Sequence, residues 1–193
     1  MKPSDWWMPD QQQRAFRAVL DGFARPGTLV PAGPSGAALM FLSAVLDESV
    51  SLADPSGLLA ADVRRLLLAP SAPVAQAQFV LLDGRTPPEA DLRPPVGTLE
   101  SPELGATLIL IVDALVDAPT AAQTDLVLQL QGPGVPGTRA LTAAGLHPDW
   151  LARRAVWTSA FPMGVDIVLA APSALVALPR TTRIQITPRS GER

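Results

Sequence analysis

Apolar positions in the first 25 residues repeat with the period of a helix, and the apolar side chains fall on one face at residues 16, 19, 20 and 23. Asp10 is typical of a helix N-cap, and Gln13 three residues later completes the pattern of a capping box. The segment Arg25-Pro26-Gly27 predicts a type II turn that ends the helix, because glycine accepts the positive φ required at the second central position. The pattern therefore predicts an amphipathic helix with Phe16, Val19, Leu20 and Phe23 packed inward.

A second stretch, Ala37 to Leu46, is apolar on nearly all sides and predicts a buried helix that follows a loop from Pro31 to Ser35. Val50 to Leu52 predicts a short strand. Asp54-Pro55 has the form of an N-cap followed by proline in the first turn. The helix predicted there ends at Pro70 and turns one apolar face inward, formed by Leu59, Val63, Leu66 and Leu67.

The middle of the chain changes to the pattern of strands. Phe79 to Leu82 predicts a strand closed by a turn at Asp83-Gly84, and Thr107 to Val112 predicts a strand covered on both sides. Asp125 to Gln131 alternates strictly, so we expect one buried and one wetter face. Residues 86–102 contain five prolines, which predicts a loop or a hinge.

The last third predicts a helix at Pro148 to Ser159, in which Trp150 could stack on Arg154 and Trp157 on Arg153. Three strands should follow, at Val165 to Ala170, Ala174 to Ala177 and Arg183 to Ile186. Helices and strands mix along the whole chain, and no internal repeat interrupts them. We therefore expect a single layered α/β domain over residues 1–193, built on a mixed sheet.

Composition excludes several kinds of chemistry. The 193 residues include no cysteine and a single histidine, so thiolate sites and two-histidine metal motifs are excluded. The single lysine, at position 2, is poorly placed to form a buried Schiff base. Fifteen basic against 18 acidic residues, without a basic stripe, do not favour a nucleic-acid partner. The sequence contains neither an 18-residue apolar run, as a membrane span requires, nor the pattern of a leader peptide. We therefore expect the protein in the cytoplasm. The 14 arginines are explained mostly by codon bias that also raises alanine, glycine and proline.

Residues 132–137 match G-x-G-x-x-G after a predicted strand, but Pro133 and Pro136 have no N–H to offer a pyrophosphate. An acidic residue about 20 positions further on, which would hold a ribose, is also missing. The motif therefore predicts a rigid turn rather than a dinucleotide site. Its glycines, Gly132, Gly134 and Gly137, could instead allow close approach of a ligand or a partner backbone.

Three further groups are candidates for function. His147 precedes Pro148 at a helix start, where capping is the ordinary role and a catalytic base the alternative. Asp166 lies in an apolar strand and must be paired or hydrogen-bonded. The cluster Arg180, Thr181 and Thr182 could bind phosphate or phosphonate oxygens, or could form ion pairs at a subunit contact. Pairing of Asp166 with Arg180 is the simplest structural solution.

Taken together, six motifs in order resemble the PhnH family of the bacterial carbon-phosphorus lyase system, over residues 8–186. They are Gln13-x-x-Phe16-Arg17-x-x-Leu20, Arg25-Pro26-Gly27, residues 105–110, Gly132-Pro133-Gly134-Val135-x-Gly137, Phe161-Pro162-x-Gly164-Val165-Asp166 and residues 177–182. The last two are the most specific.

The resemblance implies a three-layer α/β/α sandwich with a mixed sheet, similar to the large domain of pyridoxal-phosphate-dependent transferases but without that cofactor. It also implies a homodimer in isolation and a core assembly with PhnG, PhnI and PhnJ. That assembly converts ATP and methylphosphonate to ribose 1-methylphosphonate 5-triphosphate and adenine, before PhnJ breaks the carbon-phosphorus bond. The family has no established catalytic residue to carry over, and we expect no metal site.

Two functions from different classes follow. The first is a non-catalytic, assembly-supporting subunit that shows no activity by itself. The second is a small-molecule module in which residues 180–182 and the turn at residues 132–137 hold a phosphonate or a phosphorylated ribose intermediate. A stand-alone enzyme that uses His147 and Asp166 is a third alternative.

Overall fold

A computed structural model describes residues 7–33, 36–117 and 125–186. The predicted loop at residues 31–35 therefore falls partly outside the described residues, and Lys2 lies wholly outside them. The described part contains four α-helices: α1 (Pro9–Ala24), α2 (Ala37–Val45), α3 (Ala61–Leu66) and α4 (Asp149–Trp157).

Ten strands in the described residues form two sheets. They are β1 (Val30–Pro31), β2 (Leu52–Ala53), β3 (Phe79–Asp83), β4 (Thr107–Ile111), β5 (Ala114–Val116), β6 (Leu126–Gln131), β7 (Arg139–Ala144), β8 (Asp166–Ala170), β9 (Ala174–Leu178) and β10 (Arg183–Ile186). The mixed sheet has the order β1-β9-β8-β4-β3-β2, with β2, β3, β4 and β8 parallel to one another. The second sheet, β10-β6-β7-β5, is antiparallel throughout.

The mixed sheet is buried on both faces, as its continuous apolar strands predict. One face packs on α1 and α2, where Ile109 contributes to the same cluster as Val19 and Phe41. The other face carries Leu108 and Leu110 and packs on the antiparallel sheet, together with Trp150 of α4 and with Leu128, Leu130 and Leu141. The α/β class and the mixed sheet are therefore confirmed.

The predicted α/β/α layering needs correction. Helices form the outer layer on one face only of the described structure, whereas the other face is covered mainly by an antiparallel sheet, with α4 beside it. A continuous apolar strand shows that both of its faces are covered, but it does not show whether a helix or a sheet covers them.

Helix α1 forms where predicted, and two of its four predicted inward residues, Val19 and Phe23, do face the core. Ala15, Val19 and Gly22 are buried, while Phe16 and Leu20 are exposed. The helix packs close to the sheet through small residues, since a Cβ at Gly22 would come within 2.9 Å of Val30 Cγ2. The predicted cap is also wrong, because α1 begins at Pro9 and its N-cap residue makes no side-chain hydrogen bond.

Turns and short elements agree with the pattern to different degrees. Gly27 has a φ of 83° and Thr28 N donates to Arg25 O over 3.1 Å, which confirms the predicted turn. Asp54 accepts hydrogen bonds from the N–H groups of residues 58 and 59 in a turn, and α3 begins only at Ala61. Strands β1, β5 and β7 were not expected from the sequence, and the short strand expected at Val50 to Leu52 lies instead at Leu52–Ala53, as β2.

The proline-rich segment contains no regular strand or α-helix, as predicted, and α4 fastens it to the core. Trp150 Nε1 donates to Thr86 O over 2.9 Å, and Arg153 Nη2 donates to the carbonyls of Glu89 and Ala90, each over 2.7 Å. Arg153 also stacks on Trp157 at 5.7 Å, whereas stacking of Trp150 on Arg154 is not among the contacts of the described residues. Among the helices described, none is long and apolar enough to cross a membrane.

Candidate functional site

A shallow cleft of about 610 Å³ lies at the amino ends of β4 and β8. It brings together several of the predicted residues, because Asp166 begins β8 and Arg180 and Thr181 follow β9. Other chain segments complete its walls, through Phe23, Ala24, Pro102, Glu103, Pro133, Gly134, Phe161, Pro162 and Pro179. Phe161 is 65% exposed, so one wall of the cleft is an apolar ring open to solvent.

Asp166 and Arg180 form the predicted pair. Arg180 Nη2 donates to Asp166 Oδ2 over 2.8 Å, Nε donates to Oδ1 over 3.3 Å, and the backbone N of Arg180 donates to Oδ1 over 2.6 Å. Nη1 donates to the carbonyls of Pro102 and Pro162, over 2.6 and 3.4 Å. The guanidinium thus joins three chain segments, around residues 102, 162–166 and 180, and most of its donors are directed at protein acceptors.

Gly105 makes this arrangement possible, a role that the sequence did not predict. A Cβ at this position would lie 2.7 Å from Arg180 Nη1 and 2.2 Å from the carbonyl of Gly164. Any side chain there would push the guanidinium away from Asp166. The signal available in the sequence was the glycine immediately before a buried strand, where close approach of another backbone is common.

Behind the cleft lies Arg154, a second arginine missed by the sequence reasoning. Arg154 is only 5% exposed, and its Nη2 donates to the carbonyls of Pro179 and Thr182, over 2.6 and 3.0 Å. These carbonyls lie at the two ends of the turn that carries Arg180 and Thr181. Burial lowers the pKa of Arg154 to about 10, opposed in part by the charge of Asp166, so the group stays charged at neutral pH.

The two predicted threonines have opposite environments. Thr181 is exposed on the cleft, whereas Thr182 is buried, and its Oγ1 has no hydrogen-bond partner among the described residues. Arg154 Nε is buried and unpartnered in the same way. Thr182 therefore belongs to the interior behind the cleft and cannot contact a ligand in it.

The glycines of residues 132–137 separate into two kinds. Gly134 lines the cleft with a φ of 77°, and a Cβ there would lie 2.1 Å from the carbonyl of Ala24, at the end of α1. Gly132 approaches the carbonyl of Thr181, to which a Cβ would come within 2.8 Å. Gly137, with a φ of 67°, has nothing within 4 Å of such a Cβ. The motif joins β6 to β7 as the predicted turn, and two of its glycines, Gly132 and Gly134, bring other segments of this chain close to the turn.

His147 lies at the opposite end of the sheet from Asp166. Its backbone N–H donates to the carbonyl of Gly84, just after β3. Its ring Nδ1 accepts a hydrogen bond from the backbone N–H of Asp149, over 3.3 Å, at the start of α4. Asp166 begins β8, and the register of the parallel strands places it at the other edge. The structure thus does not bring these two residues together in one site.

Taken as a whole, the described structure defines a mixed-sheet α/β protein whose charged cluster ties its own segments together under an open apolar cleft. This chain belongs to the family described as bacterial phosphonate metabolism protein (PhnH), whose profile matches residues 3–185. The family predicted from the six motifs is therefore confirmed.

Two relatives match nearly the whole chain. A putative C-P lyase subunit protein, HtxG of Stutzerimonas stutzeri, is 38% identical over 182 residues, covering 93% of this chain and 89% of the relative. The alpha-D-ribose 1-methylphosphonate 5-triphosphate synthase subunit PhnH of Rhizobium meliloti (strain 1021) is 30% identical over 204 residues, covering 91% and 90%.

Proposed function

We propose that this chain is a non-catalytic subunit of a carbon-phosphorus lyase core complex, where it supports formation of ribose 1-methylphosphonate 5-triphosphate from ATP and methylphosphonate. Family membership and the names of both relatives support this role. The structural observation that supports a non-catalytic role is the bonding of Arg180. Its guanidinium is directed at Asp166 and at two backbone carbonyls. The Asp166–Arg180 pair of the cleft therefore links segments of the chain to one another.

The position of the cleft supports the same conclusion. In open α/β sheets, small-molecule sites lie at the carboxyl ends of the parallel strands. This cleft lies at their amino ends, beside the start of β4 and β8. Its exposed Phe161 is suited to contact with a protein surface, since aromatic side chains are enriched in interfaces.

The partners in this proposal are PhnG, PhnI and PhnJ in the cytoplasm, with a homodimer when the chain is isolated. The chain acts as one domain, and its parallel strands are the part comparable to the large domain of pyridoxal-phosphate-dependent transferases. The single lysine, Lys2, precedes every strand of that sheet, which is consistent with a fold that carries no imine-bound cofactor.

Co-expression with PhnG, PhnI and PhnJ of the same organism tests the proposal. We expect the chain to co-purify with them and adenine release from ATP and methylphosphonate to require the complete set. Phe161→Glu should reduce recovery of the complex, whereas Leu99→Glu, an exposed apolar position in the proline-rich segment, provides the control. Adenine release by the purified chain without partners would contradict a non-catalytic role.

A small-molecule module is the second candidate, favoured by the Thr181 hydroxyl and the volume of the cleft. Calorimetry with methylphosphonate and with ATP would then show binding that Arg180→Ala weakens by about 1.5 kcal/mol or more, the lower end for charge-assisted contacts. Thr181→Val separates ligand contact from structure, because it leaves the Asp166–Arg180 pair in place. Absence of heat with both ligands would remove this function.

A further inference from the structure

Strand β10 has one edge that no other strand of the described residues pairs with. Its register with β6 joins residues 183–186 to residues 131–128, and β10 ends the antiparallel sheet on that side. In an antiparallel ladder, every second residue directs its N–H and C=O to one neighbour, and the residues between direct theirs to the opposite side. Two residues of β10 therefore present backbone donors and acceptors on its outer edge.

The mixed sheet protects both of its edges in the described residues. Strand β1 has two residues, and one of them, Pro31, lacks an N–H. Strand β2 already bonds the next segment on its outer edge, because Leu52 N donates to Pro70 O over 3.0 Å and Ala72 N donates to Leu52 O over 3.2 Å. Neither edge is therefore open to a further strand.

The antiparallel sheet protects one edge and not the other. Strand β5 has three residues and lies between the exposed carboxylates of Asp113 and Asp117. Short length, proline and charge are the devices by which proteins prevent pairing at an edge. Strand β10 has four residues, no proline and no charge on the face that is turned to the core. Among the edges of the described residues, β10 is thus the one best suited to accept another strand.

The inner face of β10 indicates which side chains an added strand needs. Ile184 and Ile186 lie opposite Leu130 and Leu128, which are fully buried between the two sheets. Opposite residues share a face, so both isoleucines face the core. Ile184 packs against that core, whereas Ile186 is 42% exposed. The apolar layer therefore reaches the unpaired edge, where an apolar side chain of a further strand would cover Ile186.

The outer face of β10 is polar and carries a positive charge. Arg183 and Gln185 are exposed there, opposite Gln131 and Gln129. Arg183 takes no part in the ion pairs of the described residues. Strand β10 has no acidic residue, so a second copy paired along the same edge would leave Arg183 without an opposite charge. An acidic residue in a different chain would supply that charge.

We propose that the outer edge of β10 accepts an extended segment of a partner subunit as a fifth strand of the antiparallel sheet. Apolar residues of that segment alternate with polar ones and cover Ile184 and Ile186, and an acidic residue on its polar face lies beside Arg183. Main-chain hydrogen bonds then supply affinity, and the alternating side chains supply specificity. This inference rests on the proposed function, because the subunits of that complex provide the strand. The edge also continues from the cleft, since Thr181 lines the cleft two residues before β10.

Hydrogen exchange distinguishes an added strand from a contact made by side chains alone. In the isolated chain, the outward N–H groups of residues 183–186 should exchange fast, and those bonded to β6 should exchange slowly. In the complex co-expressed with PhnG, PhnI and PhnJ, the outward groups should slow about tenfold or more. Mass spectrometry with fragmentation to single residues measures this pattern at every second amide.

Two outcomes of the exchange experiment would overturn the proposal. One is a complex in which residues 183–186 exchange as they do in the isolated chain. The other is slow exchange of all four amides in the isolated chain that becomes fast on dilution, because a second copy would then cover the edge.

Ile186→Glu and Val116→Glu form a matched pair of substitutions at the two edges of the same sheet. Both replace a β-branched residue of similar exposure, 42% for Ile186 and 38% for Val116. The Ile186→Glu complex should dissociate at concentrations about tenfold or more above those of the wild type, because a carboxylate replaces the apolar contact. The Val116→Glu complex should dissociate as the wild type does. Equal dissociation of the Ile186→Glu and wild-type complexes would contradict the added strand.

Arg183→Glu tests the charge on the outer face. Its complex should dissociate more readily than the wild type at low salt, and the difference should shrink as ionic strength rises. Urea unfolding shows whether each variant is folded, and the exchange experiment on the wild type decides the question if Ile186→Glu is not. A difference that does not depend on salt would contradict the acidic residue beside Arg183.

The proposed function and the added strand fail by different results. If the wild-type chain does not co-purify with the partner subunits, the complex is wrong and the added strand is wrong with it. If the chain co-purifies while residues 183–186 exchange as in the isolated chain, the added strand alone is wrong.

Discussion

Two arginines near the cleft use the same chemical group in different ways. Arg180 neutralises Asp166 and bridges chain segments, whereas Arg154 is buried and makes its described hydrogen bonds to backbone carbonyls. The first could be predicted, since a carboxylate in an apolar strand requires a partner and Arg180 follows the neighbouring strand. The second could not, because an arginine in an amphipathic helix resembles a solvent-facing residue until the helix is docked.

A double-mutant cycle on Asp166 and Arg180 measures the free energy by which the two side chains stabilise the fold through each other. We expect Asp166→Ala and Arg180→Ala each to lower the free energy of unfolding by about 3 kcal/mol, because each leaves a partly buried charge without its partner. The double variant should lose less than the sum, with a coupling of about 1–3 kcal/mol in urea unfolding. Additive losses would show that the two residues do not stabilise the fold through each other.

Arg154→Met should lower the free energy of unfolding by about 2 kcal/mol, because the carbonyls of Pro179 and Thr182 lose a charged donor. Removal of a buried charge offsets part of this loss. Arg183→Met, at an exposed position on β10, is the control and should stay within about 0.5 kcal/mol of the wild type. Equal urea midpoints for Arg154→Met and the wild type would contradict the role of Arg154.

At the scale of elements, periodicity predicted where helices and strands lie better than which side they bury. Helix α1 turns Ala15 and Gly22 to the sheet and leaves Phe16 outside, since close packing against Val30 favours small residues. Strand β7 was missed because its alanines carry little strand preference, and only its pairing with β6 and β5 fixes it. Tertiary packing therefore determines which side of α1 is buried and where β7 forms, and the local sequence pattern does not.

The turn between β6 and β7 provides a matched pair of substitutions. Gly134→Ala should lower the free energy of unfolding by about 1–3 kcal/mol, because the added Cβ combines a positive φ with a clash against the Ala24 carbonyl. Gly137→Ala meets the same backbone strain in open space and should cost about 1 kcal/mol. Thermal unfolding of both variants tests the close approach, which is contradicted if the two lose equal stability.

The turn after β3 should make the free energy of unfolding depend on pH. A side-chain hydrogen bond from Arg85 lowers the pKa of Asp83 below its ordinary value of 3.8. The contribution of Asp83 is therefore fully present above that value and is lost as pH falls through the lowered pKa. Urea unfolding between about pH 6 and about pH 3 should show a smaller decline for Asp83→Asn than for the wild type. Parallel curves would contradict this assignment.

At the scale of the whole molecule, the sequence predicted the α/β class and the mixed sheet but not the second sheet. Asp125 to Gln131 was recognised as a strand with one buried face, yet nothing in its pattern identified β10 as a neighbour more than 50 residues later. The cleft depends on the same long-range pairing, because it assembles segments around residues 24, 102, 134, 161 and 180. Such convergence is a property of topology, and a sequence pattern describes only neighbours along the chain.

The strand order of the second sheet also has a consequence for synthesis on the ribosome. Strand β6 pairs with β7 on one edge and with β10 on the other, and β10 follows every other strand of the described residues. A nascent chain that has already emerged through β9 still presents the open edge of β6, with hydrogen-bonding groups available to any other strand. Completion of the sheet therefore waits for translation of Arg183–Ile186, and until then this edge of β6 can pair with other strands.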